Sequence, residues 1–263
     1  MTVPSVDAST VDGDFDLGEL AGARRLCDWM FDQFRDTARG CVAETGAGIG
    51  TFSERLLANG VHELVLTEAE PRLAALLEQR FETDERVSVA REALPESPTL
   101  RRRAGRFDMV LCQNVLEHVE DDYAAVATMA AALRPGGRLA LLVPAHPRLF
   151  GSLDRSFGHH RRYTRRRLLD LARGADLEVR ELYSFNLLGV PGWWVKGRRR
   201  ADGVGSASLA VYEQLVRVWR PLEERLRPPW GLSLILQADR PSRPPGRSGS
   251  APAASGPSDR RAR

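Results

Sequence analysis

Cysteine is scarce in this chain of 263 residues, with Cys27, Cys41 and Cys112 the full set of three. An odd number without C-x-x-C spacing argues against both a disulfide framework and a thiolate zinc site, and predicts reduced, mostly buried thiols. Long apolar runs are missing too, since no uninterrupted stretch reaches the length of a membrane span. The opening residues hold Asp7, Asp12, Asp14 and Asp16 but neither the basic nor the apolar region of a secretory signal, so a cytoplasmic chain is expected. No internal repeat is present. Net charge is small, +3, and the excess sits at one end, where residues 241–263 contribute Arg243, Arg247, Arg260, Arg261 and Arg263 against Asp259 alone. That stretch is rich in Pro, Ser, Gly and Ala, cannot bury enough surface to fold, and is expected to be a disordered tail. Basicity of this origin makes no case for a nucleic-acid partner.

What the chain does have is three glycines at alternate positions in Glu44-Thr45-Gly46-Ala47-Gly48-Ile49-Gly50. They follow a short apolar run ending in Val42 and Ala43 and precede an amphipathic helix through Leu56 and Leu57 to Gly60. Such a strand, turn and helix lets the backbone approach a ligand closely and aims free N–H groups at it. Thr51 and Glu54 match the Thr-x-x-Glu capping box. The dinucleotide fingerprint G-x-G-x-x-G would place its third glycine one position beyond Gly50. Leu64-Val65-Leu66-Thr67-Glu68 reads as a second strand ending in a carboxylate, near the spacing at which an acidic residue meets ribose hydroxyls. Glu44, just ahead of the loop, is poorly suited to a pyrophosphate and well suited to an ammonium group.

At these residues the chain resembles the class I S-adenosylmethionine-dependent methyltransferases, whose first motif runs E-x-G-x-G-x-G and whose second strand ends in an acidic residue. Arg106-Phe107-Asp108-Met109-Val110-Leu111-Cys112, Asn114-Val115-Leu116-Glu117-His118-Val119 and Leu133-Arg134-Pro135-Gly136-Gly137 extend the resemblance over roughly residues 40–185. It implies an α/β, Rossmann-like fold: a seven-stranded, mostly parallel sheet with an antiparallel last strand and helices on both faces. It implies S-adenosyl-L-methionine as cofactor, with Glu44 and the loop at Gly46, Ala47, Gly48 and Gly50 holding the aminoacyl end. Glu68 would accept from the ribose and Ala69 border the adenine. Glu92 or the backbone at Ala93 would meet the adenine amine, and Gln113, Asn114 and Leu116 would line the methionine portion.

The apolar runs place strands at Cys41 to Glu44, Leu64 to Glu68, Val87 to Ala90, Phe107 to Cys112, Leu139 to Val143, Leu177 to Phe185 and Leu232 to Ala238. Helices are expected from Leu17 through Phe34, over Pro71 to Phe81 and Tyr123 to Leu133, and after an N-cap at Thr164. The expected layout is an acidic start and lid helix (1–40), a cofactor-binding core (41–186), an insertion serving as acceptor lid (187–231), the last core strand (232–240) and the tail (241–263). Within the insertion Tyr212, Leu215, Val216, Trp219, Leu222 and Leu226 recur at helical spacing, and Pro221 is expected to kink or divide that helix. Trp193 and Trp194 suit packing on the sheet or a lid over a bulky, lipid-like acceptor.

For the acceptor, residues beyond the fifth strand are the candidates, because ligands meet the carboxyl ends of open α/β sheets. His118, His159, His160 and Tyr163 are the catalytic candidates, each with a packing alternative. Arg161, Arg162, Arg165, Arg166 and Arg167 suit either an anionic acceptor or a solvated helix face. Some metal-dependent relatives carry E-x-x-E-H with a later histidine; Asn114 takes the place of the first glutamate, and no metal is expected. Cys112-Gln113-Asn114-Val115 is not the N-P-P-Y or D-P-P-Y of base-modifying enzymes, which disfavours nucleic acid. The expected function is methyl transfer to a small-molecule acceptor, anionic or hydrophobic, through oxygen. Nitrogen, carbon or a lipid-linked acceptor at a membrane surface stay open, as do a nicotinamide-dependent oxidoreductase and a catalytically silent binding protein. Oligomeric state is not readable.

Overall fold

The computed structural model describes residues 18, 21–198 and 206–242, without the side chains of 195–198 and 206–209. In chain order the elements are α1 (Arg24–Asp32), β1 (Gly40–Thr45), α2 (Thr51–Ala58), β2 (Val61–Glu68), α3 (Pro71–Arg80), β3 (Val87–Arg91), α4 (Pro98–Arg102) and β4 (Phe107–Gln113). There follow α5 (Asp122–Ala132), β5 (Leu133–Pro144), α6 (Ser152–Ser156), α7 (Arg165–Gly174), β6 (Glu178–Phe185), α8 (Gly189–Arg198), α9 (Ser206–Leu226) and β7 (Ser233–Asp239). The seven strands form one sheet in the order β3-β2-β1-β4-β5-β7-β6. All pairs are parallel except those of β7, which runs antiparallel to both β5 and β6. The expected α/β fold is therefore present.

Burial on both faces explains the strands' composition. Val42, Leu64, Leu66, Met109, Leu111, Ala140 and Leu142 pack on one side with α1, α2 and α3. Ala43, Val65, Val110, Cys112, Leu139, Leu141 and Val143 pack on the other with α5 and α7. Successive residues thus enter opposite layers, which requires apolar side chains at nearly every position of a central strand. Strand order reverses between β1 and β4, and a crevice forms outside the carboxyl ends of strands at such a switch point. The glycine loop follows β1 and Asn114 follows β4, so both sit at that edge.

Several boundaries differ from expectation for identifiable reasons. The Thr51/Glu54 capping box does not form: Gly50 is the N-cap, with φ 84° and no side-chain cap, while Glu54 pairs with Arg80 at 2.5 Å. Pro221 does not divide α9, which is one continuous helix over Ser206–Leu226. Two carboxylates hold it in place. Glu213 accepts from the N–H groups of Arg25 and Leu26, each at 2.9 Å, and so caps α1. Glu223, buried, accepts from the backbone of Asn186 and Leu187 and from Trp219 Nε1 at 2.5, 2.9 and 2.7 Å. Thr164 does cap its helix, accepting from Arg167 N at 3.1 Å. Cys41 and Cys112 are free thiols, and Cys27 is buried. The acidic start before Leu17, Leu20 and the tail from 243 lie outside the described residues. No helix among the described residues is long and apolar enough to cross a membrane.

Candidate functional site

β1 delivers its chain into a loop whose left-handed backbone favours glycine. Gly46 and Gly48 have φ of 66° and 57°, a region costly for a residue with a Cβ. A Cβ on Gly46 would also overlap the Val115 side chain from the β4 loop. The loop is fastened to β2: Gly46 N and Ala47 N donate to Thr67 O at 2.7 and 3.2 Å. Glu68, at the end of β2, accepts from Gly48 N at 2.8 Å and from Glu70 N at 2.9 Å. Glu44 is 4% exposed and accepts from Ser53 Oγ at 2.6 Å. Burial pushes its pKa up to about 8, with the Ser53 hydrogen bond opposing and the Glu68 charge adding.

The other cofactor candidates divide. Ala69 and Ala93 are exposed beyond β2 and β3. Glu92 is not free for an adenine amine: its carboxylate accepts from Ser97 Oγ, Thr99 N and Thr99 Oγ1 at 2.7–3.1 Å and so organises the start of α4. Leu116 is fully buried in the core, which removes its side chain from the crevice. Asn114 is exposed, with φ 51° and its N–H donating to Leu142 O. Gln113 has both amide atoms buried without a partner.

S-adenosylmethionine, implied by the resemblance, fits these residues. Glu44 is a buried carboxyl whose ionised form needs a cation, and an ammonium supplies one. A carboxylate offers about four lone-pair sites, so Glu68 can accept from a diol beyond its two backbone donors. The orphaned amide of Gln113 offers a donor and an acceptor beside them. A cavity of about 420 Å³ between α1, β6 and α9, lined by Trp29, Tyr183, Arg227 and Gln237, includes none of the loop residues.

Beyond β5, Arg162 is the hub. It is buried and donates through Nε to Asp154 Oδ1 at 2.7 Å and through its terminal nitrogen to Ala145 O at 3.1 Å. Its guanidinium carbon lies 4.6 Å from the Trp193 ring centroid. The remaining arginines are largely committed inside the fold: Arg161 and Arg167 pair with Asp122, and Arg165 donates to Leu182 O and Ser184 Oγ. They do not form the free anion-binding cluster that one reading of the sequence allowed; Arg166, 93% exposed in its side chain, is the solvated member.

Of the catalytic candidates, Tyr163 is corrected. It is fully buried and its hydroxyl donates to Leu116 O at 3.0 Å, so it stitches the β4 and β5 loops together. Burial holds its pKa well above the ordinary range. His160 is exposed, and its backbone N–H donates to Glu117 O. His159 Nδ1 lies 3.1 Å from Asp154 Oδ1, and its ring meets His118 edge-on at 4.7 Å. Partial burial and the neighbouring imidazole of His159 hold the pKa of His118 down to about 4. Glu117, 1% exposed, has both carboxylate oxygens without a partner, and burial lifts its pKa to about 8. One oxygen of Glu117 and one nitrogen each of His118 and His159 lie within 4.8 Å of one another.

Two residues within segments already expected near the acceptor are singled out by the fold. His146, just past β5, has φ 60° and a buried Nε2 without a partner. Trp193 of α8 has its Nε1 in the same condition. Orphaned buried polar atoms are rare in native folds and call for an explanation. A positive φ at a histidine leaves no mark in sequence, and the Trp193 indole is brought in from the insertion by tertiary contact.

A methyltransferase-domain family model matches residues 21–182. An enzyme called ubiquinone biosynthesis O-methyltransferase from Aromatoleum aromaticum is 31% identical over 130 residues, covering 49% of this chain and 50% of that protein. Its namesake from Xylella fastidiosa is 35% identical over 102 residues, covering 37% and 39%. The chain thus spans half or less of the length of these two relatives. Among solved structures, a geranyl diphosphate methyltransferase in complex with GPP and sinefungin superposes with a TM-score of 0.61 at 15% identity, over 90% of this chain and 88% of that one. At that identity the likeness shows the shared fold.

Proposed function

Since the chain belongs to the class I S-adenosylmethionine-dependent methyltransferases, we propose that it transfers a methyl group to a hydroxyl oxygen of a small-molecule acceptor. The observation that carries the acceptor half is the distribution of buried polar groups without partners. Gln113, Glu117, His146 and Trp193 hold all of these among the described residues except Trp29 Nε1. Gln113 ends β4, Glu117 follows it and His146 follows β5, and Arg162 acts on the charges of Glu117 and His146 while lying over Trp193. A polar acceptor with aromatic or other apolar bulk would satisfy these groups against the rings of Trp193 and Phe157, which lie 6.1 Å apart.

When bound, the cofactor supplies an already activated methyl group on a sulfonium. The chain's own residues then have to bind, orient and exclude water. Glu44 would hold the aminoacyl ammonium and Glu68 the ribose hydroxyls, with Gly46 and Gly48 permitting close approach. Ala69 and Ala93 would border the adenine. Gln113 and Asn114 would flank the methionine portion. Residues 187–231, as α8 and α9, would cover the acceptor, with Trp193 donating into it. His118, whose imidazole is held neutral by partial burial and by its neighbour, and His159, tied to Asp154, would orient the acceptor at the rim.

The naming of the relatives supports oxygen as the acceptor atom, and a cytoplasmic location agrees with the absence of a spanning helix among the described residues. Val211, Leu215, Val218, Leu222 and Leu226 form an exposed apolar row on α9, which supports contact with a lipid-linked acceptor or a membrane surface. A nicotinamide-dependent role is opposed by the G-x-G-x-G spacing and by Glu44.

Incubation with methyl-labelled donor and a panel of hydroxylated, aminated and carbon-acid acceptors tests the proposal. Label on oxygen supports it, and label on nitrogen or carbon alone refutes the oxygen assignment. A protein that binds donor and labels nothing is a silent binding protein. A second reading has one observation in its favour, the approach of Glu117, His118 and His159 within 4.8 Å: a divalent ion held there would polarise the acceptor hydroxyl. Activity lost on chelation and regained with added metal would select it.

A further inference from the structure

We propose that His146, through its Nε2, is the base that takes the acceptor's hydroxyl proton. This rests on the oxygen-transfer reading and picks one residue from the polar stretch beyond β5.

His146 is the second residue beyond β5, at the carboxyl edge of the sheet and next in the sheet to the end of β4. Its position is fixed by the backbone on both sides. Its own N–H donates to Tyr163 O at 3.0 Å, and the preceding Ala145 N donates to Leu232 O at 2.8 Å. The result is a backbone at φ 60°, ψ 93°, a conformation that residues with a Cβ rarely adopt and that clusters at functional sites. The ring is clamped as well. Trp230 stacks on it, centroids 4.6 Å apart and planes 19° apart.

The Gly231 backbone acts on the ring in the direction that favours its charged form, as a carbonyl near a ring N–H does. Nε2 is buried and has no partner. We therefore assign the Nδ1–H tautomer, in which Nε2 presents a lone pair. Burial, with Arg162 and Arg165 as the charged groups acting on the ring, holds the imidazole neutral at physiological pH.

The step balances without an added oxidant or metal. The acceptor O–H gives its proton to Nε2 as an oxygen lone pair forms the O–CH3 bond. The S–CH3 bond of the sulfonium donor breaks, its electron pair stays on sulfur as a neutral thioether, and the imidazolium returns its proton to solvent. His159, tied to Asp154, and Glu117 are then positioning groups beside the reacting hydroxyl.

The test uses the full chain and two variants chosen for the left-handed backbone, His146→Asn and His146→Gly. The probes are catechol, 3,4-dihydroxybenzoate and a geranylated catechol with labelled donor. A base of this kind contributes roughly 10²–10⁴-fold, so His146→Asn should lose kcat in that range. Donor affinity by calorimetry should be unchanged, and the rate should lose the histidine limb of its pH profile and climb with hydroxide. Added imidazole should restore turnover to His146→Gly. In 15N-histidine spectra of the wild type, His146 should show the Nδ1–H tautomer and its Nε2 signal should move on addition of the accepted probe. A variant with wild-type kcat and pH profile, or no imidazole rescue together with an unmoved Nε2 signal, overturns the assignment and leaves oxygen methylation standing. A wild type that binds donor and methylates none of the probes overturns the oxygen reading, and the base with it.

Discussion

Asp154 Oδ1 accepts from Arg162 Nε at 2.7 Å, in a pair whose side chains are 0% and 1% exposed. A pair buried this far is worth little against an apolar replacement, but removing one partner leaves an uncompensated charge in the interior. Asp154→Ala is therefore expected to destabilise the fold by about 3–5 kcal/mol, measured by urea unfolding. Asp154→Leu combined with Arg162→Met should recover much of that loss. Burial opposes ionisation of Asp154, yet the bonds from His159 and Arg162 hold its carboxyl below the ordinary 3.8. Its contribution is accordingly present above that pH and lost as pH falls through the lowered value.

Glu44 carries the opposite sign. Its carboxyl is lifted from 4.5 to about 8, chiefly by burial, so between those values the folded chain keeps a proton that the unfolded chain has released. Its contribution is full below pH 4.5, falls as pH rises, and levels off above about 8. Replacing Glu44 by Gln should flatten the stability curve across that window by up to about 1.4 kcal/mol per pH unit. Urea melts of the two proteins at matched pH read the difference. Binding of the donor's ammonium should release a proton from Glu44 below pH 8, seen as a buffer-dependent calorimetric heat that Glu44→Gln lacks.

Glu68 joins two functions, fastening the loop through Gly48 N and offering its remaining lone pairs to the ribose. Glu68→Ala is expected to weaken donor binding roughly 10- to 100-fold, from loss of hydrogen bonds to a charged acceptor at about 1.5–3 kcal/mol. The circular dichroism spectrum should be unchanged. Unaltered affinity would remove the ribose assignment.

Gly46→Ala tests the loop itself. The left-handed backbone costs a Cβ-bearing residue about 1–2 kcal/mol, and overlap with Val115 adds to it. The variant should melt lower and lose donor binding. Adding Val115→Ala should return part of the stability, because it removes the overlap and leaves the backbone cost.

The parts of the fold that follow from local pattern were readable. Each central strand is a short apolar run because both faces are covered, and Thr164 caps its helix as its position in sequence suggests. Contacts made over long separations were not. α1 has no cap of its own because Glu213, 187 residues or more away, supplies it, and the Thr51/Glu54 box yields to a left-handed Gly50. In the site, Glu44, Glu68 and the glycines announce themselves through spacing. Tyr163 and Glu92 looked available, yet Leu116 O and the Ser97–Thr99 turn occupy their polar atoms. His146 and Trp193 lay in segments expected near the acceptor, but what singles them out, backbone strain and orphaned nitrogens, exists only once the chain has folded.

The account stands or falls on whether this crevice delivers a methyl group to oxygen. Mass spectrometry of products formed from donor carrying an isotopically labelled methyl, with wild-type protein and with Glu68→Ala, reads this directly. The account predicts label on a hydroxyl oxygen of a small molecule at a rate that falls with the variant's weakened donor binding. Label confined to nitrogen or carbon, or transfer indifferent to Glu68→Ala, would contradict it.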